Sequence, residues 1–455
     1  MLKPKYYISP ENEFVIENYN SAPTFSSFFP GVAGTFGCPM WVFYANRGQC
    51  ITSAGFFDKD DALMEFQAAN KAYRDVALNG FRTFLKIDGI YYEPFSERSD
   101  SPKEMRISSH GLTLIEENKE LKVRVEIELF TVPNETFPGL ARVVKVTNLG
   151  RSSRRIELID GLPIIIPFGF ANDFLKRLSQ TIEAWCLVEN LERHAPFFRL
   201  KVLPADISET SLIEKGHFFL SFAQQGNRQS QVDLIIDPTI IFGEVSSLEF
   251  PDGFAVSNRF KLPRKQLTQG FIPCAFAHKK FRLSPRSTFE LYSLFGQADN
   301  IRLLNQLKRR VSSRKYFARK TLDNRTLVDQ VCAAFNIESA SKSFDLYSRQ
   351  TFLDNVLRGG LPVTVGNKVV YTYYRKHGDM ERDYNDFKLM PTYFSQGNGN
   401  YRDINQNRRN DVFVNPMWAT TTSFAFSICC SWTVSTRWSS SAASTGSSRP
   451  ARPRR

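Results

Sequence analysis

Apolar and polar residues alternate most cleanly between Leu121 and Leu129. There Leu121, Val123, Val125, Ile127 and Leu129 are interleaved with Lys122, Arg124, Glu126 and Glu128. A period of two predicts a half-buried strand. Arg142 to Thr147 and Arg155 to Ile159 follow on either side of Asn148-Leu149-Gly150 and read as a hairpin. Further strand-like runs are Phe81 to Ile87, His217 to Phe222, Val232 to Ile236 and Thr288 to Phe295. Many short strands punctuated by Pro and Gly predict a large antiparallel β-sandwich over residues 1–296. The period changes near Gly296. Asp299, read as an N-cap, precedes apolar residues at helical spacing. The spacing recurs at Leu327, Val328, Val331, Ala334 and Phe335, and again at Phe352, Leu353, Val356 and Leu357, before Gly359-Gly360. This predicts a helical linker over 297–345 and the opening of a second, helical domain over 346–416.

Composition agrees with a folded chain: 455 residues, 42% hydrophobic, 13% aromatic, with 40 phenylalanines. No run of 18 apolar residues and no apolar N-terminal leader occur, so the sequence predicts no membrane segment and no secretion. Five of the seven cysteines are scattered and unpatterned, the usage of a reducing compartment, so a cytoplasmic protein is expected. The five histidines are too dispersed for a metal motif. Phosphate-loop, zinc-protease and serine-hydrolase signatures do not occur. A net charge of +13 invites a nucleic-acid reading, but the tail weakens it. Residues 417–455 hold five arginines and no acid. The remaining basic residues are spread out, and nucleic acid is not expected as a ligand.

That tail is anomalous in other ways. Its 39 residues carry ten serines, three of the five tryptophans, and no Lys, Asp or Glu. Read one base earlier, the codons forced by Met417-Trp418-Ala419-Thr420 give Val and Gly at their centre. Those of Cys429 to Thr433 then give an apolar run ending in an obligatory Asp. The expectation is a frameshifted, disordered tail over 417–455, with the authentic protein continuing in the other frame.

Just before it lies Gly397 to Asp411, GNGNYRDINQNRRND, whose one aliphatic residue is Ile404. So many donors and acceptors cannot all be satisfied inside a core. The stretch is either a solvated loop or a wall of polar groups for a ligand rich in hydroxyls. Tyr401, Arg402, Asp403, Asn405, Gln406, Arg408, Arg409 and Asp411 are its candidate substrate-binding residues. Arg402 and Asp403 either pair with each other or hold vicinal hydroxyls of one glucose. Arg408 and Arg409 are either structural or select an anion such as phosphate. A second polar cluster, Arg375 to Asp386, is joined to the first through Pro391, Tyr393 and Phe394. Rings flanked by charged groups suit a glycan groove, although a surface loop is the commoner origin of such a run. The aromatic-rich segment Ser21 to Gln49 reads as sandwich core with a loop rather than a sugar site.

At these residues the chain resembles glycoside hydrolase family 94, the inverting glycoside phosphorylases, and most of all its 1,2-β-oligoglucan phosphorylases. The segments that carry the likeness are APTFSSFFPGVAG, MWVFYANRGQ, NKAYRDVALNGFRTF, RKHGDMERDYNDF and GNGNYRDINQNRRNDVFVNP, and it covers nearly all of residues 10 to 416. The resemblance implies a β-sandwich, a helical linker and an (α/α)6 catalytic barrel, here truncated. It implies reversible phosphorolysis of a β-glucan oligosaccharide to α-glucose 1-phosphate, with inorganic phosphate as co-substrate, no other cofactor, and a possible homodimer. By the resemblance Arg402, Asp403 and Gln406 contact the transferred glucose. Asn407 departs from the aspartate of cellobiose phosphorylases, which argues against cellobiose. The general-acid aspartate is expected beyond this chain, so no catalytic residue is assigned within it and the chain alone is expected to be inactive. The alternative, from another class, is a non-catalytic β-glucan-binding or structural module.

Overall fold

The computed structural model describes residues 3–372, apart from 30–31, 35–36, 204–211, 245–246, 258, 334, 336, 360 and 367. Among the described residues the chain forms four antiparallel sheets, of eleven, five, four and two strands. The seven α-helices there are α1 (Ala69–Asn79), α2 (Asn172–Leu178), α3 (Thr239–Phe242), α4 (Asp252–Ala255), α5 (Ile301–Val311), α6 (Arg314–Cys332) and α7 (Lys342–Gly359). The architecture is thus β-rich and antiparallel. From residue 346 on, the described part consists of α7 and the hairpin of strands Leu361–Val365 and Lys368–Thr372. The rest of the expected barrel, and the tail, lie outside the described residues.

The alternating run forms strand Val123–Thr131 near the middle of the eleven-stranded sheet, beside Gly139–Asn148, then Thr288–Ala298, then Gly216–Gln225. Val123, Val125, Ile127 and Leu129 point into the core. The opposite face carries charge: Lys145 lies directly across from Glu126, with Nζ 3.0 Å from Oε1. Strands Arg82–Ile87, Arg154–Leu162 and Ala275–Leu283 form the middle of the five-stranded sheet. Its Leu85, Ile87, Ile156 and Leu158 share one core with the large sheet. Each such side chain contributes about 1.5–3 kcal/mol by leaving water. The other face is also buried: Phe84, Ile159 and Phe276 are covered by Ile241 and Phe242 of α3 and by Phe254 of α4. Gly161 lies within this sheet at φ 155°, where an added Cβ would stand 2.0 Å from the Ala275 carbonyl oxygen of the neighbouring strand.

Two local expectations are corrected. Strands Gly139–Asn148 and Arg154–Leu162 are not a hairpin, because they pair in different sheets. The turn between them is a corner from one sheet to the other. Asn148 fixes it by donating from Nδ2 to the carbonyls of Ser152 (2.8 Å), Leu283 (3.1 Å) and Ser284 (3.2 Å). The cap of α5 is Asn300 rather than Asp299; its Oδ1 accepts from Leu303 N at 3.0 Å. From that cap Leu304, Leu307 and Val311 form the buried stripe of α5. On α6 the buried stripe is Phe317, Lys320, Asn324, Val328 and Val331, and two of its members are polar.

Candidate functional site

Tyr401, Arg402, Asp403, Asn405, Gln406, Arg408, Arg409 and Asp411 all lie outside the described residues, as does Arg375 to Asp386. The described part shows the framework that leads towards them. In the aromatic-rich N-terminal segment, Trp41 and Phe43 are buried and cluster with Phe66, and Trp41 Nε1 donates to the Asp58 carbonyl at 2.9 Å. Tyr44 is buried as well and belongs to the main core. These three rings are core, not sugar platforms. Val32 and Ala33 continue that segment into a separate apolar cluster with Val328, Val331 and Cys332 of α6 and Phe352 and Leu353 of α7. The turn beside them needs a glycine. Gly34 sits at φ 85°, and a Cβ there would stand 2.0 Å from Asn134 Oδ1. Asn134 N donates to the Ala33 carbonyl at 2.7 Å.

Glu135 is the electrostatic centre of this junction. Its buried carboxylate receives Lys320 Nζ at 2.9 Å, Arg310 Nη2 at 2.5 Å and the Tyr316 hydroxyl at 3.2 Å. Lys320 also donates to the Pro133 carbonyl at 2.9 Å. Burial, then the Glu135 charge, pushes the Tyr316 phenol well above its ordinary pKa. α5 and α6 are therefore bolted to the loop between strands Val123–Thr131 and Gly139–Asn148.

Three further polar clusters lie in the interior, the first leaving Arg142 Nη1 buried without a hydrogen-bond partner. Arg142 and Asp160, both without exposure, meet through Nε–Oδ2 at 3.0 Å and Nη2–Oδ1 at 2.7 Å. Gln49 Oε1 accepts from the same Nη2 at 2.5 Å, and Thr83 donates to Asp160 at 2.7 Å, so side chains from two sheets and from the turn between strands Met40–Ala45 and Ile51–Phe56 converge. Glu116 is fully buried and accepts from Tyr92 (2.7 Å), Ser99 and the Phe95 amide. Burial raises its pKa despite Lys103 nearby. His217 sits edge-on to Phe56 and Phe168, with Nδ1 2.6 Å from the Ile166 carbonyl; burial lowers its pKa to about 4. All three are positioned to hold the fold. Among the described residues no group of three His, Cys, Asp or Glu is arranged to hold a metal ion.

An open cleft of about 660 Å³ lies between the turn Leu191–Arg193 and α5. Its floor is a reciprocal amide pair, Asn190 Nδ2 to Asn305 Oδ1 at 3.1 Å and Asn305 Nδ2 to Asn190 Oδ1 at 3.2 Å. Its walls carry Arg193, Arg302 and Arg309. Glu189 and Glu192 complete the lining, so the cleft presents guanidinium, amide and carboxylate groups together. The sequence reading missed it, although Arg302, Asn305 and Arg309 show the i, i+3, i+7 spacing of one helix face.

No family model matches the chain, and no curated protein matches it by sequence. Among solved structures it is similar to a bacterial glucoamylase complexed with acarbose, at 12% identity and a TM-score of 0.38 over 82% of this chain and 47% of the other. It is also similar to a putative kojibiose phosphorylase from the human microbiome, at 6% identity and a TM-score of 0.24 over 75% of this chain and 32% of the other. Both neighbours are carbohydrate-processing enzymes by name, and the chain spans less than half the length of either. Among the described residues no helix is long and apolar enough to cross a membrane.

Proposed function

We propose that the chain carries part of the glucose-recognition surface of an inverting glycoside phosphorylase acting on 1,2-β-glucooligosaccharides. Inorganic phosphate is the co-substrate and α-glucose 1-phosphate the product. The observation that carries the reading is the stretch Gly397 to Asp411, whose polar density suits a ligand rich in hydroxyls and whose residues match the family's glucose-contacting motif. In an inverting phosphorolysis one carboxylic acid protonates the leaving glycosidic oxygen while phosphate attacks the anomeric carbon. Arg402 and Asp403 would hold the hydroxyls of the transferred glucose through charge-assisted hydrogen bonds. The reading gives the residues of this chain the sugar-recognition half of that reaction.

Calorimetric titration of the purified chain with 1,2-β-glucooligosaccharides, paired with an assay for α-glucose 1-phosphate, tests both halves. Saturable binding is expected, weakened about tenfold or more in Arg402→Ala or Asp403→Ala, with no sugar phosphate released. A chain that binds no oligoglucan, or binds equally with both substitutions, refutes the recognition role. Phosphate-dependent release of α-glucose 1-phosphate refutes the division between recognition and catalysis.

A further inference from the structure

The cleft between the turn Leu191–Arg193 and α5 is built rather than incidental. Asn190 and His194, at φ 64° and 51°, hold the turn in left-handed conformations at both ends. Asn190 Nδ2 also donates to the Ala195 carbonyl at 2.8 Å, closing the turn. Two links tie it to the helix: the Asn190–Asn305 amide pair and Lys308 Nζ donating to the Arg193 carbonyl. The backbone of the turn is therefore held against α5 before any ligand arrives, which lowers part of the ordering cost of binding.

Charge on this frame leans positive, with three arginines against Glu189 and Glu192. Arg302 and Arg309 lie seven residues apart on α5, nearly in line and roughly 10 Å apart along the axis, with Asn305 between them. Arg193 faces them from the turn. Among the described residues none of the three forms an ion pair, although the chain pairs many of its other arginines. Glu189, at the edge of the cleft, is already engaged by Arg199 at 2.6 Å. Glu192 is the other carboxylate of the lining.

Arg302 is the telling residue. It occupies the first turn of α5, which contains no acid. A cation there opposes the positive end of the helix dipole, at a small cost that a bound anion would offset. The amide donors of the turn are not what attracts the anion, because Asn300 already caps Leu303 N. The attraction rests on three guanidinium forks and the amides of Asn305 and Gln306, a donor set that matches phosphate oxygens and sugar hydroxyls.

We propose that this cleft is a binding site for a phosphate-bearing anion, either a sugar phosphate or free phosphate, separate from the stretch Gly397 to Asp411. Titration of the full chain with glucose 1-phosphate, glucose 6-phosphate, inorganic phosphate and glucose, at constant ionic strength, tests it. Saturable binding of at least one phosphate-bearing ligand is expected, and excess glucose should not displace it. Removal of either guanidinium in Arg302→Gln or Arg309→Gln should weaken binding about tenfold. Lys5→Gln, on strand Lys5–Ile8 at the opposite end of the eleven-stranded sheet from Glu189, should leave it unchanged, as should the double substitution Arg408→Gln/Arg409→Gln. Tighter binding of a sugar phosphate than of inorganic phosphate would identify the sugar ester as the ligand, and the reverse would identify free phosphate. Absence of phosphate binding, or binding that survives loss of Arg302 and Arg309 together, overturns the proposal. Binding abolished by Arg408→Gln/Arg409→Gln alone also overturns it and leaves the phosphorylase reading standing.

Discussion

Replacing Glu135 with Gln removes the charge that fastens α5 and α6 to the sheets. The Glu135 side chain is 5% exposed and its partner Lys320 is 7% exposed, with 2.9 Å between charged atoms. Glu135→Gln keeps the shape but strands the Lys320 ammonium, which retains the Pro133 carbonyl at 2.9 Å and the Asn134 carbonyl at 3.3 Å. Breaking a buried pair by removing one partner typically costs about 3–5 kcal/mol. The two remaining acceptors place this case at the low end, at about 3 kcal/mol. Arg310, 56% exposed, contacts the same carboxylate from solvent, so Arg310→Gln should cost less than about 1 kcal/mol. The double variant Glu135→Leu/Lys320→Met removes both charges and should recover most of the loss. Urea unfolding followed by tryptophan fluorescence measures all three. Equal costs for Glu135→Gln and Arg310→Gln, or a Glu135→Gln cost below about 1 kcal/mol, would show that the junction is held by apolar contact and not by this charge.

Acid should weaken the fold through His217. Its folded pKa, near 4, lies below the ordinary 6.5, so the folded state binds fewer protons and the stabilisation is complete above pH 6.5. It is lost as pH falls towards 4, by up to about 3 kcal/mol, and His217→Phe should flatten that part of the unfolding profile. An unchanged slope in the variant would contradict this assignment. Gly161→Ala should destabilise by more than about 2 kcal/mol in denaturant, because the new Cβ meets strand backbone that cannot move aside. Asn324→Leu should cost about 2 kcal/mol in the same assay, since it leaves the His110 and Thr131 carbonyls without the Nδ2 that now reaches them at 3.0 and 3.1 Å.

Strand existence was legible wherever one face met solvent. Val123–Thr131 shows its period because Arg124, Glu126 and Glu128 can stay half-wet. Strand partners were not legible. Asn148-Leu149-Gly150 has the composition of a tight hairpin turn, and nothing in those three residues distinguishes it from a corner between sheets. The distinction lies in Leu283 and Ser284, whose carbonyls Asn148 reaches across more than 130 positions. Helix α1 went unread although Ala69, Ala72 and Val76 are its buried stripe, since small residues give a weak apolar signal.

The same physics explains which polar residues stood out. Gly397 to Asp411 was conspicuous because no core could satisfy so many donors and acceptors at once. Arg142, Lys320 and Asn324 follow the opposite logic. Each is a polar residue on a buried face whose partners come from distant segments: Asp160 and Gln49, Glu135 and Pro133, His110 and Thr131. Hydrophobic periodicity counts such a residue as a defect in the stripe, whereas the fold uses it as a fastening point between elements. Arg302 and Arg309 of the cleft are a third kind, placed on a helix whose buried stripe needs only Leu304, Leu307 and Val311. Packing leaves Arg302 unconstrained, and the helix dipole disfavours it.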